Sequence, residues 1–151
     1  MSARINPIPI REWPPEMRDA LGSMLPPVQR HQQPISEGRP KAMNLLSTYA
    51  HHTALAKAFF TFNGHIIMAT TLTERQRELI VLRVGTKRKA PYEFTQHLLM
   101  ANDAGISDEE IRRVENEPDS PLWSDLDRAV LRAVDDLIDD GGISDTTWAA
   151  L

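Results

Sequence analysis

Two helices and the turn between them can be read in residues 73–105, TERQRELIVLRVGTKRKAPYEFTQHLLMANDAG. Thr73 with Gln76 three residues later forms a capping box, which predicts the start of a first helix. Pro91 suits the first turn of a second helix, and Gly105 is a residue type that commonly ends one. Between these signals apolar residues recur at intervals of three and four. Both segments are therefore predicted to be amphipathic helices that pack on a core.

The rest of the chain follows the same spacing from Met43 onward, and strand-like alternation never persists, so we predict an all-α fold. The N-terminal part differs, because eight of the 11 prolines lie at or before Pro40. We expect residues 1–42 to form an extended arm, a short helix and a proline-rich loop, followed by one helical domain in residues 43–151. Since the sequence stops about two turns after a helix start at Ser144, we expect a truncated C-terminus or one that packs on a partner.

The composition narrows the classes of function. With 21 acidic and 17 basic residues the net charge is -4, which gives no reason to expect nucleic acid or an anionic membrane as a partner. The first residues lack the layout of a secretion signal, and no run approaches the length of a membrane span. We therefore expect a cytoplasmic protein with a small-molecule substrate. The basic run of Lys87, Arg88 and Lys89 is compatible with a phosphate site, although a helix end also favours cations.

No cysteine is present, which excludes a disulfide framework, a thiolate zinc site and a cysteine nucleophile supplied by these residues. The histidines at positions 51, 52, 65 and 97 do not show a ligand spacing such as His-x-x-x-His on one helix. We predict neither a metal nor a cofactor. His65 lies in the apolar run FNGHII, a setting that suits a core histidine or the wall of a pocket.

Three side chains near the predicted turn are suited to acid–base chemistry: Glu78, Glu93 and His97. Glu93 and His97 are four residues apart on the second helix, so they share a face within hydrogen-bond reach. Glu93 also lies in the first helical turn, where the helix dipole favours the ionised carboxylate. Such a carboxylate would orient and charge the imidazole of a general acid or base. The alternative is an ordinary surface pair, which stabilises a helix by about 0.3 kcal/mol.

Residues 72–111 resemble the carboxymuconolactone decarboxylase family, which also contains the alkyl hydroperoxidase D proteins. The similarity extends from about residue 44 to residue 140, and it implies an alkyl hydroperoxidase D-like helical bundle. It also implies a homo-oligomer, a trimer or a hexamer, in which a glutamate and a histidine sit in a mostly apolar pocket.

The motif of the peroxidase branch is a glutamate, eleven residues, a cysteine, two residues, a second cysteine, three residues and a histidine. This frame is present as Glu78, Ala90, Glu93 and His97, so both cysteines are replaced. Peroxide reduction in that branch needs one thiolate to attack and a second thiol to resolve the sulfenic acid. An alkylhydroperoxidase label transferred from the family would therefore name the wrong mechanism. The segment EFTQH, residues 93–97, is similar instead to the decarboxylase branch.

The resemblance implies a lyase of aromatic compound catabolism that moves a proton on a small carboxylated lactone or a related oxygenated acid. His97 would move the proton, Glu93 would orient and charge the ring, and Glu78 would hold its second nitrogen. Arg83 is the first candidate to bind a substrate carboxylate, with Arg75 and Arg77 as second candidates. The alternative for all three arginines is helix solubility, and it weighs more for Arg75 and Arg77 than for Arg83. The remaining substrate contacts are assigned to Tyr92, Phe94 and His65. A non-catalytic oligomeric binding protein is the alternative from a different class.

Overall fold

The structure is a computed structural model that describes residues 4–32 and 43–151. These residues are helical or irregular and contain no strand, which confirms the predicted all-α fold. None of their helices is long and apolar enough to cross a membrane. Contacts divide the chain into two compact units, Met1–Thr71 and Leu72–Leu151, whereas the sequence suggested a division after residue 42. The predicted proline-rich loop falls largely in residues 33–42, outside the described residues.

The described residues of the first unit form three α-helices, preceded by a 3-10 turn at Ile10–Glu12 within the predicted extended arm. The helices are α1 (Glu16–Gly22), α2 (Met43–Tyr49) and α3 (Thr53–Met68). A small core joins them, and its buried members are Met17, Ala20, Ala50, Ala56 and Phe60. The arm is fixed to this core by Trp13, whose indole N–H donates to the Ile8 carbonyl at 2.9 Å.

Gly64 lets α3 approach the end of α1 closely. A Cβ placed on Gly64 would lie 2.1 Å from the backbone carbonyl oxygen of Met24, well inside any real contact distance. Because that oxygen belongs to the backbone, a side chain at this position requires the chain itself to move. The absence of a Cβ at Gly64 is therefore a condition for packing within the first unit.

Gly64→Ala is expected to lower the free energy of unfolding by roughly 1–3 kcal/mol, the usual cost of overpacking a tight contact. Urea denaturation followed by circular dichroism measures this change. Gly22→Ala is the matched control, because a Cβ there meets nothing within 4 Å. A Gly64→Ala protein as stable as the Gly22→Ala protein would show that the helices do not approach each other this closely.

The second unit contains five helices: α4 (Glu74–Lys87), α5 (Pro91–Asp103), α6 (Asp108–Asn116), α7 (Asp125–Asp139) and α8 (Asp145–Ala150). Their starts follow the signals in the sequence. Thr73 and Ser107 both form complete capping boxes, with Gln76 and Glu110 respectively. Gly105 follows α5 with φ +78°, a left-handed conformation that favours glycine. The core between these helices consists of Leu79, Leu82, Ala101, Ile106, Ile111, Val114, Trp123 and Leu131.

A ladder of ion pairs joins α4 to α7. Arg75 pairs with Asp127, Arg83 with Asp135 and Lys87 with Asp139. Each pair of residues is separated by 52 positions in the chain. Because the separation is constant as both helices advance, the two helices run side by side in the same direction and in one fixed register.

This register decides which face of α7 is buried. The spacing of three and four residues between apolar side chains also predicts Leu126 and Leu137 on the inner face of this helix, but both are exposed. The buried positions include the small residues Ala129 and Ala133, which allow close approach to neighbouring helices. The prediction was wrong at these two leucines because it weighed hydrophobicity without the ion pairs that orient the helix.

Candidate acid–base site

Glu78 and His97 meet between α4 and α5. Glu78 faces the interior of the second unit, and its side chain is 0% exposed. Its Oε2 lies 2.7 Å from Nδ1 of His97. When the Glu78 carboxylate is ionised it can only accept hydrogen bonds, and the Nδ1–H of His97 is then the donor in this contact.

The other oxygen of the Glu78 carboxylate is also satisfied. Nε of Arg77, a buried residue of the same helix, donates to Oε1 at 3.0 Å. A buried carboxylate needs such compensation, because burial of an unpaired charge is very costly. Glu78 is thus held on one side by a guanidinium and on the other by the imidazole, which fixes the orientation of the ring.

The second nitrogen of His97 is left open for chemistry. Nε2 makes no hydrogen bond with any described residue. No buried side-chain nitrogen or oxygen in the described part of the chain lacks a partner, so Nε2 must reach the surface. The side chain of His97 is 22% exposed. A ring that is anchored through Nδ1 and open at Nε2 has the arrangement of a general acid or base.

Glu93 does not make the hydrogen bond to His97 that the sequence predicted. It lies exposed in the first turn of α5, and its side chain makes no hydrogen bond or ion pair with the described residues. The spacing of four residues brings it within reach of His97 on the helix surface, but the ring turns its Nδ1 toward α4 instead. Glu78, which is 19 positions away in the chain, makes the contact that the spacing suggested for Glu93.

The three candidate arginines all have partners inside the protein. Arg83 is 5% exposed and pairs with both carboxylate oxygens of Asp135 at 2.7 Å. Its Nη1 also donates to the carbonyls of Val114 and Glu115 in the last turn of α6. Arg77 holds Glu78, and Arg75 belongs to the ladder between α4 and α7. These contacts use the guanidinium of Arg83 inside the protein, so we propose a structural role for Arg83 and omit it from the proposed substrate site.

Arg75 also joins the start of α6 to the ladder. Burial would raise the pKa of Glu110, but hydrogen bonds from the Arg75 guanidinium and from Ser107 outweigh it and hold that pKa below its usual value. Burial likewise opposes the charge of Arg75, and the hydrogen bonds to Glu110 and Asp127 more than compensate, so the pKa of Arg75 is raised. Both groups are therefore charged at neutral pH and serve the fold.

The three predicted substrate contacts lie in different settings. Tyr92 is partly exposed near the start of α5, and Phe94 is partly buried against the core of the second unit. His65 is exposed on α3 in the first unit rather than buried in a core. No group of three or more histidine, aspartate or glutamate side chains in the described residues is arranged to hold a metal ion.

A cleft of about 430 Å³ opens beside the start of α5. Its walls include Gly85, Lys89, Ala90, Phe94 and Glu115. Ala90 occupies the position of the first cysteine in the peroxidase motif, so this cleft marks the place where a thiol would stand. Reasoning from the sequence considered Lys89 only as part of a basic run and missed Glu115, because residues from two separate helix ends meet only in the folded chain.

Comparisons with known proteins identify the family of this chain. Searches of the curated proteins and of the solved structures returned no match. The model of the carboxymuconolactone decarboxylase family matches residues 53–136, more than half of the chain and a range that contains Glu78 and His97. The chain therefore belongs to the carboxymuconolactone decarboxylase family.

Proposed function

We propose that this protein is an acid–base enzyme that processes a small carboxylated lactone or a related oxygenated acid without a thiol. The observation that carries the proposal is the hydrogen bond of 2.7 Å between buried Glu78 and Nδ1 of His97. It leaves Nε2 as the one ring nitrogen available to a substrate. Membership of the carboxymuconolactone decarboxylase family supports the substrate class.

His97 is the residue that moves the proton. In a decarboxylation the carbon–carboxyl bond breaks, carbon dioxide leaves, and the electron pair stays on the substrate carbon, which then takes a proton from Nε2–H. In an isomerisation Nε2 removes the proton first and later returns it. Glu78 acts as a positioning residue, because it fixes the ring and stabilises the positive charge when both nitrogens carry protons.

The chemistry of a thiol peroxidase is not part of the proposal. The chain has no cysteine, so it cannot form the sulfenic acid and the disulfide of that cycle. The proposal does retain the homo-oligomer, a trimer or hexamer, that the family resemblance implies. It also retains a cytoplasmic location.

The test is a thermal-shift screen of small carboxylated lactones and oxygenated aromatic-pathway acids. Each compound that binds is then assayed for turnover, both by carbon dioxide release and by NMR detection of an isomerised product. We expect a substrate to raise the melting temperature of the wild type more than that of His97→Ala. Turnover should fall by about 10²–10⁴-fold in His97→Ala, the usual contribution of a general acid or base. Asn102→Ala, a change at an exposed position on the same helix, is the matched control and should behave like the wild type.

Two outcomes would contradict the proposal. Equal turnover by the wild type and His97→Ala would remove His97 from the chemistry. Sustained hydroperoxide reduction with a thiol reductant would show that the protein uses a mechanism other than proton transfer. Binding of the same compounds without any turnover would favour the non-catalytic binding protein.

A further inference from the structure

The cleft beside α5 is lined by both apolar and charged residues. Ala90, Pro91 and Phe94 line it with apolar surface, and Gly85 adds no side chain to its wall. Thr86 and Thr95 add hydroxyl groups, and two charged residues complete the lining, Lys89 from the turn after α4 and Glu115 from the end of α6. The cleft therefore combines an apolar surface with one cation and one anion.

Lys89 differs from the three cations of the ladder because it has no partner among the described residues. Arg88 also lacks a partner there, but it does not line the cleft. Arg75, Arg83 and Lys87 are all paired with carboxylates across the ladder. The ammonium group of Lys89 makes no ion pair or hydrogen bond with any described residue. It is the cation of this cleft that can accept an anionic ligand without breaking a contact of the fold.

Lys89 has a left-handed backbone conformation that is uncommon for lysine. α4 ends in a Schellman motif, in which Ala90 N–H donates to the Gly85 carbonyl at 2.8 Å and Lys89 N–H donates to Thr86 at 3.0 Å. Lys89 occupies the left-handed position of this motif with φ 52°, where glycine is the usual residue. Glycine at this position would relieve the strain and would also remove the cation from the cleft.

We infer that this cleft binds small monocarboxylates with an apolar body, with the carboxylate on Lys89 and the apolar body on Phe94, Pro91 and Ala90. An ammonium group and a carboxylate form a charge-assisted hydrogen bond, which is stronger than a neutral one. Glu115 on the same cleft repels a second carboxylate and accepts a hydrogen bond from a hydroxyl group. The site thus selects a single acid group over a diacid.

The link between this cleft and the reaction rests on the proposed function. Ala90, Phe94 and His97 follow one another at intervals of four and three along one face of α5. Ala90 and His97 are seven residues apart, which corresponds to about 10 Å along the helix axis. A substrate held by Lys89 would therefore extend toward His97 past the ring of Phe94. The carbon that exchanges a proton with His97 would be remote from the carboxylate on Lys89, as in the isomerisation.

The experiment measures the affinity of three probes by NMR titration: benzoate, its neutral analogue benzamide, and the diacid terephthalate. We expect Lys89→Gly to weaken benzoate binding about three- to tenfold and to leave benzamide unchanged, since only the charge-assisted contact is lost. The same variant should melt at a higher temperature, because glycine relieves the left-handed backbone. If Lys89→Gly is more stable than the wild type but binds benzoate more weakly, misfolding does not explain its loss of affinity.

Two further variants complete the design. Arg88→Met removes the neighbouring exposed cation, which does not line the cleft, and should leave all three affinities unchanged. Glu115→Gln should strengthen terephthalate binding about three- to tenfold, because it removes the repulsion of the second carboxylate. Changes in the chemical shifts of the backbone amides within residues 85–95 should show where benzoate binds.

Equal benzoate affinity in the wild type and Lys89→Gly would overturn the inference, as would an equal loss in Arg88→Met. These results would leave the proposed function standing, because it is measured by turnover and by His97. Conversely, His97→Ala should bind benzoate within twofold of the wild type even though it has lost turnover. The turnover of His97→Ala and the benzoate affinity of Lys89→Gly therefore test the proposed function and this binding site separately.

Discussion

Glu78→Gln is expected to reduce turnover by about 10²–10⁴-fold, whereas Glu93→Gln should leave it within a few-fold of the wild type. Glutamine keeps the size of the Glu78 side chain but removes the negative charge. The ring of His97 then loses the carboxylate that fixes its tautomer and stabilises its charged form. Glu93 is exposed and makes no hydrogen bond or ion pair with the ring, so its charge has little to contribute.

The measurement is kcat and KM for the substrate found by carbon dioxide release, together with ¹⁵N NMR of the two ring nitrogens of His97. A positioning role predicts that kcat falls more than KM rises, and that the tautomer population of His97 changes only in Glu78→Gln. Circular dichroism and urea denaturation confirm that each variant is folded. The assignment of Glu78 would be wrong if Glu93→Gln caused the larger loss of kcat.

The helices could be predicted because their signals are local. Capping boxes at Thr73 and Ser107, a proline at the start of α5 and Gly105 after its end each act within one or two turns. These residues satisfy backbone groups that no other part of the chain has to provide. Their effects are therefore readable from a short stretch of sequence.

The candidate site depends on contacts between helices, and here the sequence was a partial guide. The family frame predicted that Glu78 and His97 belong together, and the structure brings them into contact. The role of Glu93 was inferred from a spacing of four residues, which describes one helix and ignores its neighbour. The direction in which the His97 ring points is set by α4, so no pattern within α5 reveals it.

The partners of Arg75 and Arg83 were even harder to predict from the sequence, because they also lie on other helices. A guanidinium near a predicted site is equally suited to a substrate carboxylate and to an aspartate of the protein. Asp135 lies 52 residues from Arg83, and the pairing becomes visible only when α4 and α7 are aligned. The constant separation of 52 positions along the ladder is apparent once the structure is known, but no short stretch of the sequence indicates it.

Asp135→Leu is expected to lower the free energy of unfolding by about 3–5 kcal/mol, the usual loss when one partner of a buried ion pair is removed. Arg83 is 5% exposed, so the substitution leaves its charge buried without a carboxylate. The double variant Arg83→Met with Asp135→Leu should recover much of that stability, since it replaces the pair by two apolar side chains. Urea denaturation of the single and double variants measures both changes and their coupling.

Asp119→Leu is the matched control, because its partner Arg132 is 50% exposed and a pair at the surface contributes at most about 1 kcal/mol. The double variant also separates the two roles that Arg83 could have. If Arg83 is structural, the double variant folds and turns over substrate with a KM close to that of the wild type. If Arg83 binds the substrate carboxylate, the double variant is stable but its KM rises at least tenfold, because no side chain replaces the lost cation. A stable and fully active double variant would leave Lys89 as the cation to which a substrate carboxylate can bind.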